Sequence, residues 1–352
     1  MHFSVPTSIH FGNKSETALQ SYENPFVVAD AFFKDTPMLN ALLQNFKSYT
    51  LFTDFTPDPT LESVAKGVHA FQNANCKSLL AIGGGSAIDT AKAILFFSES
   101  DAKLAVIPTT SGTGSEVTAF SVVTDTNTRT KYPLISDRML PHTAILDFDF
   151  IRSLPPAITA DTGADALCHA LESYVSLNHN PFSDALAEKA VLMIMQSLFK
   201  AFNGDQEAKE AMHYASTMAG IAFNSAGLGL CHGLAHALGA RFKIPHGRAN
   251  ALLILPTIAF NTRDAKTEAR YATLSRLLGN EGGQAILVRK LIADIRRLFL
   301  KIGIPQHLDI DKTAFEKEQN TIASAVLQDA CTQSNPHPVT ERDILNLYME
   351  VM

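Results

Sequence analysis

Short apolar runs and longer amphipathic stretches alternate through the first half of the chain. Asn24–Ala29 (NPFVVA) and Tyr49–Phe52 read as strands, the second followed by the turn-rich TPDPT, because β-branched and aromatic residues bounded by Asn, Asp and Pro suit a buried pleated segment. Leu61–Asn73 instead places Val64, Val68 and Phe71 on one side at helical spacing. Ser78–Ile82 (SLLAI) is a continuous apolar run that stops at Gly83-Gly84-Gly85, and Ser86 opens a helical stretch, SAIDTAKAILFF. Leu104–Ile107 repeats the theme and runs into Pro108–Thr118, PTTSGTGSEVT. Strands and helices in alternation predict an open parallel α/β sheet of Rossmann-like type.

After LPHTAILDFDFIRSLPP the pattern changes. The pair Pro155-Pro156 marks a linker, so the chain is expected to divide into an α/β domain at residues 1–154 and an all-helical domain at residues 155–352. Helical periodicity carries SDALAEKAVLMIMQSLFKAF, QEAKEAMHYASTMAGIAF and GGQAILVRKLIADIRRLFLKIG, the last ending at Gly303 with Pro305 just beyond. Met193 and Met195 read as core filler. The C-terminal stretch carries a turn at Asn335-Pro336 and a capped helix from near Thr340.

The helical half also holds the densest chemistry. In Gly229–Gly247, GLCHGLAHALGARFKIPHG, His232 and His236 stand four apart on one helical face, with Leu230, Leu234 and Leu238 on the other. Gly239 on the histidine face is expected to open space beside the rings, and His246 to follow on a loop after a break at Pro245. Upstream, Asp165 and His169 repeat the spacing, with Leu167, Leu171 and Tyr174 opposite; Glu172 shares their side, as on a solvated acidic face. Together these clusters offer one carboxylate and three imidazoles, a four-ligand mixed O/N set with room for a substrate oxygen that suits Fe(II) or Zn(II). Cys168 and Cys231 point about 100° away from their histidine neighbours and read as small core residues. The other histidines, His2, His10, His69, His142, His179, His213, His307 and His337, have no partner at ligand spacing and are expected at the surface or in caps.

The α/β half holds two anion-friendly loops. At Gly84, Gly85 and Ser86 a strand, a glycine turn and a helix N-terminus converge, so unhindered N–H groups and the positive helix end can meet a phosphate; Asp89, expected in that first helical turn where it suits the dipole, is counted with the cofactor-binding residues. The hydroxyls and glycines of Pro108–Thr118 can hydrogen-bond a pyrophosphate or ribose. Asp30, closing the first apolar segment, is placed either to meet an adenine-side ribose and repel a 2′-phosphate or simply to make a turn. Phosphate loops in one half and ligand clusters in the other lead us to expect a catalytic cleft between the domains.

Composition narrows the partners. The 352 residues are 46% hydrophobic and 18% charged with a net charge of −6, an ordinary globular balance without the basic stripe a nucleic acid needs. The N-terminus shows no basic flank and apolar core of a signal peptide, and no apolar run reaches the roughly 20 residues of a membrane span. Four scattered cysteines without a CxxC pair fit reduced thiols, and a cytoplasmic location is expected.

AIGGGSAIDTAKAI, IPTTSGTGSEVT, KYPLISDRMLPHTAILD, GADALCHALESYVS and GLGLCHGLAHALGARFKIPHG, in that order, resemble the iron-containing (group III) alcohol dehydrogenase family over nearly the whole chain. The resemblance implies a dinucleotide-binding α/β domain, an all-α domain and a divalent metal held by Asp165, His169, His232 and His246. His236 would lie beside substrate and nicotinamide as a proton-transfer group. Gly84, Gly85 and Ser86 would hold the pyrophosphate, Thr109, Thr110, Thr113, Thr118 and Lys131 would line the cofactor groove, and Asp30 would favour NAD over NADP.

Two positions depart from the family pattern: the Phe97–Lys103 connector is short, and Asp58 stands where relatives often carry asparagine. The complete ligand set separates the chain from maleylacetate reductase-like relatives. The implied reaction is hydride transfer between NAD(H) and a small primary alcohol or aldehyde, in a homo-oligomer of two or more copies by analogy. Competing readings are a dehydroquinate synthase-like or glycerol dehydrogenase-like metal- and NAD-dependent enzyme, and a non-catalytic metal- or nucleotide-binding protein.

Overall fold

The computed structural model describes residues 3–12, 15–128 and 130–352; His2 lies outside them. The chain forms two compact units, Met1–Leu154 and Pro155–Met352.

In the first unit, strands β1 (Ser8–Phe11), β2 (Pro25–Ala29), β3 (Thr50–Phe52), β4 (Ser78–Gly83) and β5 (Lys103–Pro108) precede a hairpin, β6 (Phe120–Asp125) and β7 (Thr130–Ile135), and a last strand, β8 (Thr143–Leu146). Six of them make one sheet in the order β1-β8-β5-β4-β2-β3 with every pair parallel, and the hairpin is a separate antiparallel ribbon. The two-residue period of a strand divides the apolar side chains cleanly. Val27, Ala29, Leu80 and Ile82 enter the core on one face, whereas Phe26, Val28, Leu79 and Ala81 enter the core on the other. Helix α1 (Ser15–Ala18) and helix α2 (Pro37–Leu43) supply residues to the first core, and α3 (Leu61–Asn73) and α4 (Gly85–Phe97) to the second. Burial on both faces explains why the strands read as unbroken apolar runs.

Helix α3 spans the stretch its periodicity predicts, and a reciprocal Thr60–Ser63 capping box starts it. Helix α4 begins at Gly85, one residue ahead of Ser86, with Gly84 as its cap residue. At Gly67 an added Cβ would lie 2.4 Å from Ile94, so glycine here lets α3 approach α4 closely.

Asp89 and Lys92 tie this helix to the chain that follows β5. Fully buried Lys92 donates from Nζ to Ser115 Oγ at 2.9 Å and to the carbonyls of Thr118 and Phe120 at 2.7 and 2.9 Å. Asp89 accepts from Ser115 Oγ at 2.9 Å through one carboxylate oxygen and from the Val122 N–H at 3.0 Å through the other. Burial pulls the Lys92 ammonium down to about 8, against the pull of Asp89 and Glu116. Lys92→Met leaves Ser115 Oγ and the Thr118 and Phe120 carbonyls without their donor and removes the positive charge near Asp89, and stranding buried acceptors costs about 1–3 kcal/mol each. Chemical denaturation should show the loss as a lower midpoint; an unchanged midpoint would mean the staple holds nothing.

The second unit is helical: α5 (Pro156–Val175), α6 (Pro181–Phe202), α7 (Gln206–Ala226), α8 (Leu230–Phe242), α9 (His246–Asn261), α10 (Ala265–Leu277), α11 (Gln284–Lys301), α12 (Lys312–Gln328) and α13 (Glu341–Val351). One apolar core runs through them. Helix α5 is central, packing on α6, α7, α9 and α10, and every residue from Gly163 to Val175 is buried. Its polar face is therefore no solvated surface: Glu172 is 2% exposed. His213 on α7 departs from its expected surface position as well; it is buried, and burial pulls its imidazole down to about 4. Among the described residues no helix is long and apolar enough to cross a membrane.

Candidate functional site

Three helices of the second unit bring their polar residues to one point. Asp165 and His169 come from α5, His232 from the first turn of α8, and His246 from the first residue of α9. One ligand atom from each lies within 4.8 Å of every other. Asp165 Oδ1 is 3.8 Å from His232 Nε2 and 3.5 Å from His246 Nε2. His169 stacks between Phe223 and His232, with ring centroids 4.6 Å apart on each side.

Local backbone explains these placements. Lys243 takes a left-handed conformation (φ 55°) that ends α8, and Pro245 then caps α9 so that His246 opens a helix instead of lying on a loop. Gly247 follows because a Cβ there would lie 2.2 Å from the Asp161 carbonyl oxygen, which lets α9 start against α5. Arg248 donates to Asp161 at 2.6 Å and fastens the same junction. Gly239 serves a different purpose from the expected opening beside the rings: its missing Cβ would meet the Ile244 carbonyl at 3.3 Å, and its own carbonyl accepts the Lys243 N–H. Gly229 makes room for Glu172, whose Oε1 would lie 2.7 Å from a Cβ.

Glu172 was not foreseen as part of this site. It accepts the N–H groups of Cys231 at 2.6 Å and His232 at 3.3 Å, the free donors of the first turn of α8, and the His232 Nδ1–H at 2.5 Å. Burial pushes Glu172 up to about 7, opposed by the N–H groups of Cys231 and His232. Burial likewise pulls His232 well below the ordinary histidine range, reinforced by His169 and opposed by Asp165. His232 is thus neutral, its Nδ1–H given to Glu172, and its buried Nε2 has no hydrogen-bond partner. An orphaned lone pair facing a carboxylate and two further imidazoles fits a divalent cation. For Asp165 burial acts to raise the carboxyl, and His169, His246 and His232 outweigh it and hold it below its ordinary value. Asn250, also unforeseen though one turn after His246, donates to Asp165 at 2.7 Å and lies 3.1 Å from His246 Nε2.

His236 lies outside this foursome in its bonding. Its Nδ1 is 2.9 Å from Asp329 Oδ2, and its ring stacks on His246 at 5.2 Å and 14°. Burial acts to raise Asp329, but the hydrogen bond and charge of His236 bring it down to about 2. No local pattern in the sequence couples positions 236 and 329. Cys168 and Cys231 are fully buried thiols, as their helical positions suggest.

In the first unit the two loops adjoin. A Cβ on Gly84 would lie 3.4 Å from Thr110 and one on Gly85 2.8 Å from Thr113, while the Thr109 N–H donates to the Gly83 carbonyl at 3.0 Å. Asp30 belongs to this turn. Its Oδ2 accepts the Gly84 N–H at 3.0 Å, and Gly83, at φ 157°, leaves it space that no Cβ could share. Burial raises the Asp30 carboxyl, against that hydrogen bond. Ser86 accepts the Asp58 N–H at 3.2 Å, and Asp58 pairs with Lys131 at 2.7 Å, so Lys131 reaches the turn through Asp58. Thr118 uses its carbonyl and hydroxyl oxygens as acceptors for Lys92. Asp89 corrects the sequence reading: with both oxygens turned into the protein, it holds the loop and does not face a phosphate.

A parallel sheet with a glycine turn and a helical unit with a buried histidine–carboxylate centre define a nucleotide- and metal-dependent class of protein. Profiles of known families agree: residues 6–148 match "Iron-containing alcohol dehydrogenase" and residues 159–352 match the C-terminal part of the Fe-containing alcohol dehydrogenase family. The chain belongs to the iron-containing alcohol dehydrogenases, which are oxidoreductases. It is 39% identical to the 1-propanol dehydrogenase PduQ of Citrobacter freundii, over 99% of each chain. Identity to the NADPH-dependent butanol dehydrogenase of Clostridium saccharobutylicum is 37%, covering 99% of this chain and 97% of that one. The iron-containing alcohol dehydrogenase of Thermococcus thioreducens superposes with a TM-score of 0.92 at 28% identity, covering 99% of both chains.

Glu172 gives a test with a defined sign. Its raised value means that below pH about 7 the carboxyl becomes protonated, ceases to accept the His232 Nδ1–H, and favours the tautomer with a proton on Nε2. Metal affinity should therefore fall as pH drops through 7. Glu172→Gln, with one amide oxygen for two sets of donors, should bind Fe(II) about 10–100-fold more weakly and lose that pH dependence. Competition against a chelator of known affinity measures both, and an unchanged affinity would remove Glu172 from the site.

Proposed function

We propose that this protein is a metal-dependent alcohol dehydrogenase or aldehyde reductase that moves a hydride between NAD(H) and a small primary alcohol or aldehyde. The observation that carries the reading is the buried donor set of Asp165, His169, His232 and His246, with His232 Nε2 unpartnered at its centre. Those four residues would hold Fe(II), the ion of the family. A cation there supplies Lewis-acid polarisation of the substrate oxygen, and the nicotinamide supplies the hydride acceptor or donor.

The chain's own groups do the rest. Glu172 and Asn250 fix the donor atoms of His232 and Asp165, so little reorganisation accompanies binding. Gly84, Gly85, Ser86 and the threonines at 109, 110 and 113 form the pyrophosphate cradle, and Lys131, held by Asp58, adds a positive charge beside it. Asp30 supports NAD as the cofactor, since its carboxylate at the Gly84 turn would repel a 2′-phosphate. His236, on the same helix as His232 but bonded elsewhere, would exchange the substrate proton with water. A dehydroquinate synthase-like reaction is disfavoured by the family assignment.

Anaerobic reloading of metal-stripped protein with Fe(II), and with Zn(II) in parallel, followed by NADH oxidation at 340 nm with short aldehydes, tests the reading. Activity should require metal, return with Fe(II) and prefer NADH. Failure across the whole panel with every metal and both cofactors would refute it. Asp30→Ser should raise kcat/KM for NADPH relative to NADH on the order of tenfold, worth about 1.4 kcal/mol. No change in that ratio would return Asp30 to a turn residue.

A further inference from the structure

His232 and His236 occupy equivalent positions one helical turn apart, yet their Nδ1 atoms have separate carboxylate partners. We propose that Asp329 is the positioning residue for His236, locking its ring in the tautomer that leaves Nε2 as a proton acceptor; the kinetic part of this proposal rests on the proton-transfer reading of His236.

Asp329 is well built for the task. It caps the C-terminal end of α12, and its two oxygens have separate duties. Oδ1 accepts the Cys331 N–H at 2.8 Å, two residues on, which pins the carboxylate to the turn. Oδ2 is then left to accept from His236 Nδ1 at 2.9 Å. The side chains of His236 and Asp329 are 17% and 13% exposed, so water competes little for the bond. The stacking on His246, at 14° between ring planes, fixes the remaining rotation of the His236 ring.

With Nδ1–H committed to Asp329, Nε2 carries a lone pair. In alcohol oxidation Nε2 would accept the hydroxyl proton, and bound NAD+ would supply the acceptor for the hydride from the C–H bond. The resulting imidazolium keeps its Nδ1–H on Asp329 and releases the Nε2 proton to water, for a balance of alcohol plus NAD+ giving aldehyde, NADH and H+. Aldehyde reduction runs the same path backwards. An anionic partner also stabilises the transient imidazolium, which is how a carboxylate serves a histidine base without itself taking the proton.

His236, Asp329 and Cys331 also lie close enough to share a metal ion, all within 4.8 Å of one another. The hydrogen bonds speak against that use. Both Asp329 oxygens are already paired, one to backbone, and burial holds the Cys331 thiol well above its ordinary value and so protonated.

The test compares wild type, Asp329→Asn, His236→Ala and the double variant as full-length proteins, each assayed for bound metal. Tautomers come from long-range ¹H–¹⁵N spectra of the zinc-loaded form, and steady-state kinetics from the Fe(II) form with propanal and NADH. Asparagine has one oxygen for the Cys331 N–H and an amide to donate to Nδ1, so Asp329→Asn should shift the His236 proton to Nε2. Its kcat should fall about 100-fold, within the range of a lost acid–base group, with KM changed less than about threefold. In the double variant kcat should be no lower than in His236→Ala alone.

Asp329→Glu keeps the acceptor and should retain the wild-type tautomer, which guards against a folding defect in the asparagine variant. An unmoved tautomer in Asp329→Asn, or an equal further loss of kcat in the His236→Ala background, would overturn the proposal. So would a second metal equivalent per chain that Asp329→Asn removes. Wild-type turnover in His236→Ala sinks the proton-transfer reading instead, and the tautomer spectra then decide the lock by themselves.

Discussion

The helical unit depends on one buried carboxylate. Glu172 satisfies two N–H groups at the start of α8 and the Nδ1–H of the first histidine on that helix, so a single side chain joins backbone capping to the orientation of the His232 ring. A helix start buried without partners would strand its donors, and a buried carboxylate without donors would be costlier still. Each solves the other's problem. The glycine at 229 is the geometric condition, since any larger residue would displace the oxygen that does the capping. Asn335 completes the cap by accepting the Leu230 N–H and exchanges side-chain hydrogen bonds with Asn261, carrying the same constraint toward the C-terminal segment.

This interdependence sets what the sequence could disclose. Periodicity located α3 from Leu61 to Asn73 and the long helices, because a packed face imposes a repeat on local composition. The strand-to-glycine turn at Ser78–Gly85 was equally legible, as was the i, i+4 spacing of Asp165 with His169 and of His232 with His236. The four-residue strands β1 and β8 and the β6–β7 hairpin went unread, being too short or too mixed to show a period. Glu172 was visible on the ligand face but resembled a wet surface, since an acidic residue looks alike whether it meets solvent or the end of another helix. Asp329 carried no signal at all. Its partner is 93 positions away, and only the tertiary fold relates them.

The α/β unit shows the same logic with the opposite sign. Asp89 is the fifth residue of a helix that follows a glycine turn, near a start where dipole arguments favour an anion and a ligand contact is the natural reading. The structure turns it inward instead, to Ser115 and Val122, where with Lys92 it holds the threonine-rich loop against α4. A phosphate-binding turn needs backbone N–H groups more than it needs a carboxylate beside them. Residues that fix the loop therefore bear on the proposed cradle indirectly, and Thr110 and Thr113 of that loop stand beside Gly84 and Gly85.

Equivalent helical positions do not imply equivalent chemistry. His232 and His236 share a face of α8, and their rings are 6.0 Å apart. Burial and partners divide them: His232 is 1% exposed and His236 17%. A neutral, enclosed imidazole with a bare Nε2 amid a carboxylate and two further imidazoles suits the ligand role proposed for it, because a cation would satisfy that lone pair. The His236 ring, at the margin and bonded to a fixed carboxylate, is the one we assign to proton transfer. What differs is the carboxylate each Nδ1 meets, Glu172 in a dry interior or Asp329 at a helix end, and the four-residue repeat merely brings both rings to the place where that difference counts.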